Sequence, residues 1–378
     1  MKNLEKVALL FLCLACSGVK NQTDIPDEQK TNLVFILSDQ WRFEAVGYMG
    51  NPDVITPNLD KLAAESLIFE NAVTVMAVCA PWRASFLTGQ YPLTHGIFYN
   101  DKPLDPAAVT LGKIYKEAGY QTGYIGKWHL NGHKRGDDPF SGRDKPVPVG
   151  RRQGFDYWKV REVTHDYNNS YYFDENDQKQ VWEGYDAFAQ TDSAISFIQK
   201  NKENSFALVM SWGPPHDPYP TAPQEYKDLY DWNRISIRPN VPLALQDSAK
   251  RVIANYYAHI TALDTALGKL LDELEKAGLA ENTIFVFTSE HGDMLLSKGV
   301  LRKQRPWDES IKVPMLVGYP KGISKPRTIS IPIDTPDLLP TLLGLSGLKT
   351  PKSVEGTDFS AQLMAGKDID NEAALIML

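Results

Sequence analysis

The stretch TIFVFTSEHGD, residues 283–293, is an apolar run that stops on a glutamate and a histidine. A run of this length and type suits a strand buried on both faces of a sheet. Its ending suits a site, because open parallel sheets bind ligands outside the carboxyl ends of their strands. The pattern repeats along the chain. NLVFIL (32–37) runs into SDQ, YQTGYIG (120–126) into KWHL, and SFALVMSW (205–212) into GPPHDP. One such ending is ordinarily a solvated loop, whereas four together point to a single site. Helical patterns lie between the runs. TPNLDKLAAESLIF (56–69) offers Thr56 as a cap and Pro57 at the first helical position. TLGKIYKEAG (110–119) is a second helix. In 251–278, Tyr256, Ile260, Leu263, Leu267, Leu270 and Leu274 recur at the spacing of an amphipathic helix. VPMLVG (313–318) is a further strand. The alternation predicts an α/β fold with a doubly covered, mostly parallel sheet.

The chain has 378 residues and a net charge of −7, which argues against nucleic acid or an anionic membrane surface as partner. No internal repeat or low-complexity segment interrupts it. Residues 1–22 read as an export signal and short linker: lysines, an apolar run from Val7 to Ala15, then small and polar residues. LAC (14–16) resembles a lipoprotein box, with Cys16 as the lipid-anchored residue; cleavage after Ala15 or Ser17 is the plainer reading. Residues 23–378 are expected to form the catalytic domain of an exported bacterial protein, periplasmic or anchored at the outer membrane. Only Cys79 of the three cysteines lies beyond the signal, so no intrachain disulfide is expected.

The strand endings hold two kinds of group. Asp39, Gln40, Glu290 and His291 supply oxygens and one imidazole, a set suited to a divalent cation such as calcium or magnesium. Arg83, Lys127, His129, His216 and Lys303 could neutralise and protonate a tetrahedral oxyanion, as in sulfuryl or phosphoryl transfer. Each alone has a plainer reading as a surface or loop residue. His95 and His259 read as structural.

Cys79-x-Pro81-x-Arg83 followed by LTG (87–89) resembles the signature of the type I sulfatases. FILSDQ, TPNLDKLAAE, GYQTGYIGKWHL, PPHDPY, FTSEHGDM and KQRPWDESIKVPMLVG follow that family's order, from about Asn32 to the C-terminus. The resemblance implies an alkaline-phosphatase-like α/β/α sandwich with a large, mostly parallel mixed sheet. It implies that Cys79 is oxidised to formylglycine by a formylglycine-generating or anaerobic sulfatase-maturating enzyme. The hydrated aldehyde would attack sulfur with one hydroxyl and expel sulfate with the other. It implies Asp39, Gln40, Glu290 and His291 as calcium ligands, with magnesium the alternative. Arg83 would hold the modified residue, Lys127 and Lys303 the sulfate, His129 would be the base, and His216 would face the leaving oxygen.

The chain departs from the pattern at four places. Trp82 stands where serine is usual, Gln40 where a second aspartate is common, and Glu290 where aspartate is usual. The family's small C-terminal antiparallel subdomain is expected to be missing or truncated, because the chain stops at NEAALIML. Residues 154–188 are dense in aromatics, which either stack on sugar rings or pack the segment onto the domain. His133 and His165 are candidate substrate contacts. The expected substrate is a sulfated carbohydrate. The alternatives are a phosphodiesterase or phosphonate monoester hydrolase of the same superfamily, a glycan-binding relic without activity, and a plain cysteine hydrolase.

Overall fold

The computed structural model describes residues 30–132, 142–323, 325–370 and 373–377. Residues 1–22, read as an export signal and including Cys16, and His133 lie outside them. In chain order the elements are β1 (Asn32–Asp39), α1 (Pro57–Ala64), β2 (Leu67–Phe69), α2 (Cys79–Thr88), α3 (Pro92–His95), α4 (Leu111–Glu117) and β3 (Gln121–Lys127). There follow β4 (Tyr157–Arg161), β5 (Tyr171–Phe173), β6 (Lys179–Val181), α5 (Asp186–Asn201), β7 (Phe206–Pro215), α6 (Gln224–Lys227), α7 (Gln246–Lys276) and β8 (Thr283–Ser289). The last are α8 (Asp308–Ile311), β9 (Met315–Gly318), β10 (Arg327–Ile329), α9 (Thr335–Leu345) and α10 (Ser360–Met364).

One ten-stranded sheet runs in the order β10-β2-β9-β8-β1-β7-β3-β4-β5-β6. Its centre, β8-β1-β7-β3-β4, is parallel, and antiparallel pairings appear at β9 and beyond β4. The central strands are buried on both faces because helices cover each side. Leu33, Phe35 and Leu37 of β1 pack with α2, α4 and α9, while Val34 and Ile36 pack with α1, α5 and α7. This period-two division explains why the strands read as unbroken apolar runs. Among the described residues no helix is long and apolar enough to cross a membrane.

Local chemistry differs from expectation in a few places. Thr56 occupies the N-cap of α1, but its hydroxyl makes no cap bond. It accepts from the Gly47 N–H at 2.8 Å and donates to Asp60 at 3.2 Å instead. The N-terminus of α1 is held from outside: Asp264 on α7 accepts from the Leu59 and Asn58 N–H groups at 2.8 and 3.1 Å. The aromatic segment is largely packing, with Trp158, Tyr167 and Trp182 buried. Met377, near the C-terminal end, makes one parallel bridge to Met76.

Gly126 shows how tightly the centre is built. Its φ is +98°, and a Cβ there would lie 2.1 Å from the Ser211 carbonyl oxygen on β7. Gly126→Ala is expected to cost more than about 1 kcal/mol, from both the left-handed backbone and the clash with a neighbouring strand. Chemical denaturation checks this; an unchanged midpoint and slope would mean that the sheet yields there.

Candidate active site

The strand order places the site. Ser38 pairs with Ser289 across β1 and β8, so Asp39 and Glu290 emerge side by side, and the Glu290 N–H donates to the Ser38 carbonyl at 3.1 Å. On the other side of β1, β7 leads into His216, and β3 beyond it ends on Lys127. The helix α2 starts over these endings. Cys79 is its first residue, following extended Val78, and the Ala80 N–H is satisfied by Asn100 at 3.0 Å. The N-terminus of a helix favours negative charge beside it. Cys79 and Arg83 share one face as an i,i+4 pair. Trp82 turns away: it stacks on Phe86 with centroids 5.4 Å apart and is buried in the core with α9. The unusual residue of the motif is therefore a packing residue.

Cys79 Sγ lies 3.4 Å from Lys303 Nζ, 3.5 Å from His291 Nε2, and 3.8 and 3.9 Å from the oxygens of Asp39. Burial and Asp39 push its thiol up, but Lys127, Lys303 and the nearby His129 hold it well below the usual thiol range. Asp39 accepts from Lys127 Nζ at 2.5 Å. Burial opposes its ionisation, yet Lys127, His216, Lys303 and His291 hold it well below the usual carboxylate range. Arg83 is fully buried and pairs with Glu290, donates to the Lys127 carbonyl, and reaches Tyr124 Oη and Ser211 Oγ at 2.9 Å. Burial pushes Glu290 up, opposed by Arg83 and reinforced by Asp39.

Lys303 Nζ donates to His216 Nε2 at 2.7 Å and to Gln40 Oε1 at 3.2 Å. His216 Nδ1 in turn faces the Asp217 carbonyl at 2.9 Å. Burial pushes His216 down to about 3. The ring is thus neutral with its proton on Nδ1 and its Nε2 lone pair taken by the lysine, so in this arrangement it offers the leaving oxygen no proton from Nε2. His165 is exposed and stacks on His216 with centroids 4.7 Å apart, which brings it to the rim.

Asp39, Cys79, Glu290 and His291 each offer one donor atom within 4.8 Å of the others, and all four are buried. Glu290 Oε2 is buried without a hydrogen-bond partner. An orphaned carboxylate oxygen is costly unless something binds it. The donor set of two carboxylates and one imidazole therefore fits a divalent cation. Gln40 is poised to add its carbonyl: Nε2 donates to Asp293 Oδ2 at 2.7 Å, which fixes Oε1 on the Lys303 side. Asp293 also accepts from Tyr219 Oη at 2.6 Å and from the Arg302 N–H at 2.9 Å. His95 and His259 have structural partners, Ser85 at 2.9 Å and Tyr185 at 2.7 Å.

The structure thus brings together every proposed site residue it describes. It adds Tyr124, Ser211, Asp217 and Asp293, which orient the others and went unremarked in sequence. Asp217 and Asp293 lay inside quoted motifs, one and two residues from residues singled out there. Tyr124 and Ser211 carried no signal beyond being polar groups within buried strands.

The sulfatase family model matches residues 31–348. The chain is 44% identical, over 99% of its length, to an ulvan-active sulfatase of Formosa agariphila, and covers 73% of that protein. It is 28% identical, over 93% of its length, to an endo-4-O-sulfatase of Bacteroides thetaiotaomicron, covering 76% of it. A solved structure from work on the metabolism of multiple glycosaminoglycans by Bacteroides thetaiotaomicron matches with a TM-score of 0.84 at 28% identity. It covers 92% of this chain and 79% of that one.

Proposed function

The chain belongs to the sulfatase family, and from that premise we propose that it removes sulfate from a sulfated polysaccharide of the ulvan class, with formylglycine made from Cys79 and a bound calcium ion. The observation that carries this is the convergence of buried Lys127, His129 and His216 and half-buried Lys303 on Cys79 beside the Asp39–Glu290–His291 cluster. The 44% relative is named for activity on ulvan, which supports the choice of polysaccharide.

Asp39, Gln40, Glu290 and His291 would hold the cation. The cation and the formylglycine hydrate supply, respectively, fixed positive charge for sulfate oxygens and the attacking oxygen. The chain's own residues do the rest. Lys127 and Lys303 neutralise the sulfate, and burial makes the charge of Lys127 count for more than it would in water. Arg83 fixes the carbonyl end of β3 and so the position of Lys127. His129, the base in this reading, takes a proton beside Cys79. His216 faces the leaving oxygen in this reading, beside the Lys303 ammonium that donates to its Nε2.

The test is sulfate release from defined sulfated saccharides, ulvan oligosaccharides included, using protein whose Cys79 conversion is verified by peptide mass. Release from ulvan fragments is the expected result. Faster turnover of phosphate diesters, or no release from any saccharide, would overturn the reading. Chelation provides a separate check. Dialysis against EDTA is expected to abolish turnover and calcium to restore it; unimpaired turnover after metal removal, confirmed by elemental analysis, would reject the metal assignment.

A further inference from the structure

His129 is 3% exposed, and neither of its ring nitrogens makes a hydrogen bond of ordinary length. Its Nε2 instead faces Asp101 Oδ1 at 3.7 Å. Asp101 is also held by Arg143, whose Nη2 reaches both carboxylate oxygens at 3.0 and 2.9 Å and whose Nε reaches one at 3.2 Å. This bidentate clamp fixes the plane of the carboxylate. The two loops that carry His129 and Asp101 are built as one unit. The Leu104 N–H donates to the Leu130 carbonyl at 2.9 Å, and a Cβ on Gly132 would lie 2.9 Å from Pro103 and 3.3 Å from the Asp101 carbonyl. Buried Glu162 anchors the His129 loop by accepting from the N–H groups of Asn131 and Gly132 at 2.8 and 3.0 Å. Both Asp101 and His129 adopt left-handed backbone, with φ of 67° and 58°. Such backbone in non-glycine residues clusters where side chains must be aimed.

We propose that Asp101 is a positioning residue for His129, its carboxylate engaging the Nε2 edge of the imidazole and so fixing the ring orientation and the tautomer from which the base acts. The inference rests on the reading of His129 as the base. A carboxylate on one nitrogen commits the proton to that nitrogen and leaves the other as the acceptor, and it stabilises the imidazolium that forms. The carboxylate keeps its charge throughout. The charged and titratable groups facing His129 are Asp101, Cys79, Lys127 and Glu162. Burial and Lys127 oppose its protonation, while Asp101 and Cys79 favour it.

The experiment uses the full chain labelled with ¹⁵N-histidine, with His129 signals assigned by His129→Gln. The parent is expected to show a single tautomer protonated on Nε2, and Asp101→Asn a mixture. On ulvan oligosaccharides Asp101→Asn is expected to lose roughly 10²-fold in kcat, the lower end of what a positioned base contributes. Its acid limb in kcat/KM should move to lower pH, with Asp101→Glu recovering part of the rate. A tautomer and pH limb in Asp101→Asn identical to the parent, while His129→Gln is inactive, would overturn the inference and leave the base assignment standing. Parental turnover in His129→Gln would remove the base assignment and the inference with it.

Discussion

Replacing Cys79 by alanine is expected to lower sulfate release by about 10⁴-fold or more, the scale on which removing a covalent nucleophile acts elsewhere. The argument is local. Lys127, Lys303 and the carboxylate–imidazole cluster would still attract a sulfate group, but Asp39 and His291, the nucleophilic groups near Sγ, are assigned to the cation in the proposed reading. Lysine Nζ is committed to Asp39 at one position and to Gln40 and His216 at the other. The fold should tolerate the change, since a buried thiol packs as a small apolar group. Turnover on ulvan fragments together with calorimetric unfolding separates the two effects. Release within about tenfold of the parent would place the nucleophile elsewhere.

The second large effect concerns stability. Arg83 and Glu290 form an ion pair with side chains 1% and 0% exposed. Arg83→Leu is expected to cost about 3–5 kcal/mol, because it strands a buried carboxylate. It also removes the donor to the Lys127 carbonyl and to Ser211. The double variant Arg83→Leu/Glu290→Leu should recover part of that loss, because no charge is left uncompensated. Calcium is expected to stabilise the single variant more than the double one, since the double variant keeps Asp39 but loses the Glu290 carboxylate. Denaturant titrations with and without calcium read all four states. A parental midpoint for Arg83→Leu would show that the pair contributes nothing net.

Much of the site was legible because buried parallel strands write themselves as apolar runs, and the residues just beyond them stand out. Asp39, Lys127, His216 and Glu290 all sit at such ends, and strand order alone brings them together. Other features left no trace of that kind. Trp82 and Arg83 are adjacent in sequence yet about 100° apart around α2, so one faces the core and the other the site. Asp101 and Glu162 reach His129 from separate segments of the chain, where no periodicity marks them. The aromatics of 154–188 fit sugar stacking and packing equally by composition, and only their burial decides for Trp158, Tyr167 and Trp182. Hydrogen-bond direction was also out of reach: that Asp293 turns the Gln40 amide, and that His216 accepts from Lys303, are tertiary facts.

The depth of Cys79 sets a schedule for the protein's biosynthesis. Its side chain is 1% exposed, roofed by Lys303 and floored by Asp39 and His291. A second enzyme cannot grip residues 79–83 once β1, β3, β7 and β8 have closed around them, because all of these residues lie in a fully buried helix. On the proposed reading, conversion of the thiol is then expected on the unfolded chain. A molecule that folded first would stay in the unconverted state for as long as it stayed folded, and active yield would depend on a race between modification and collapse.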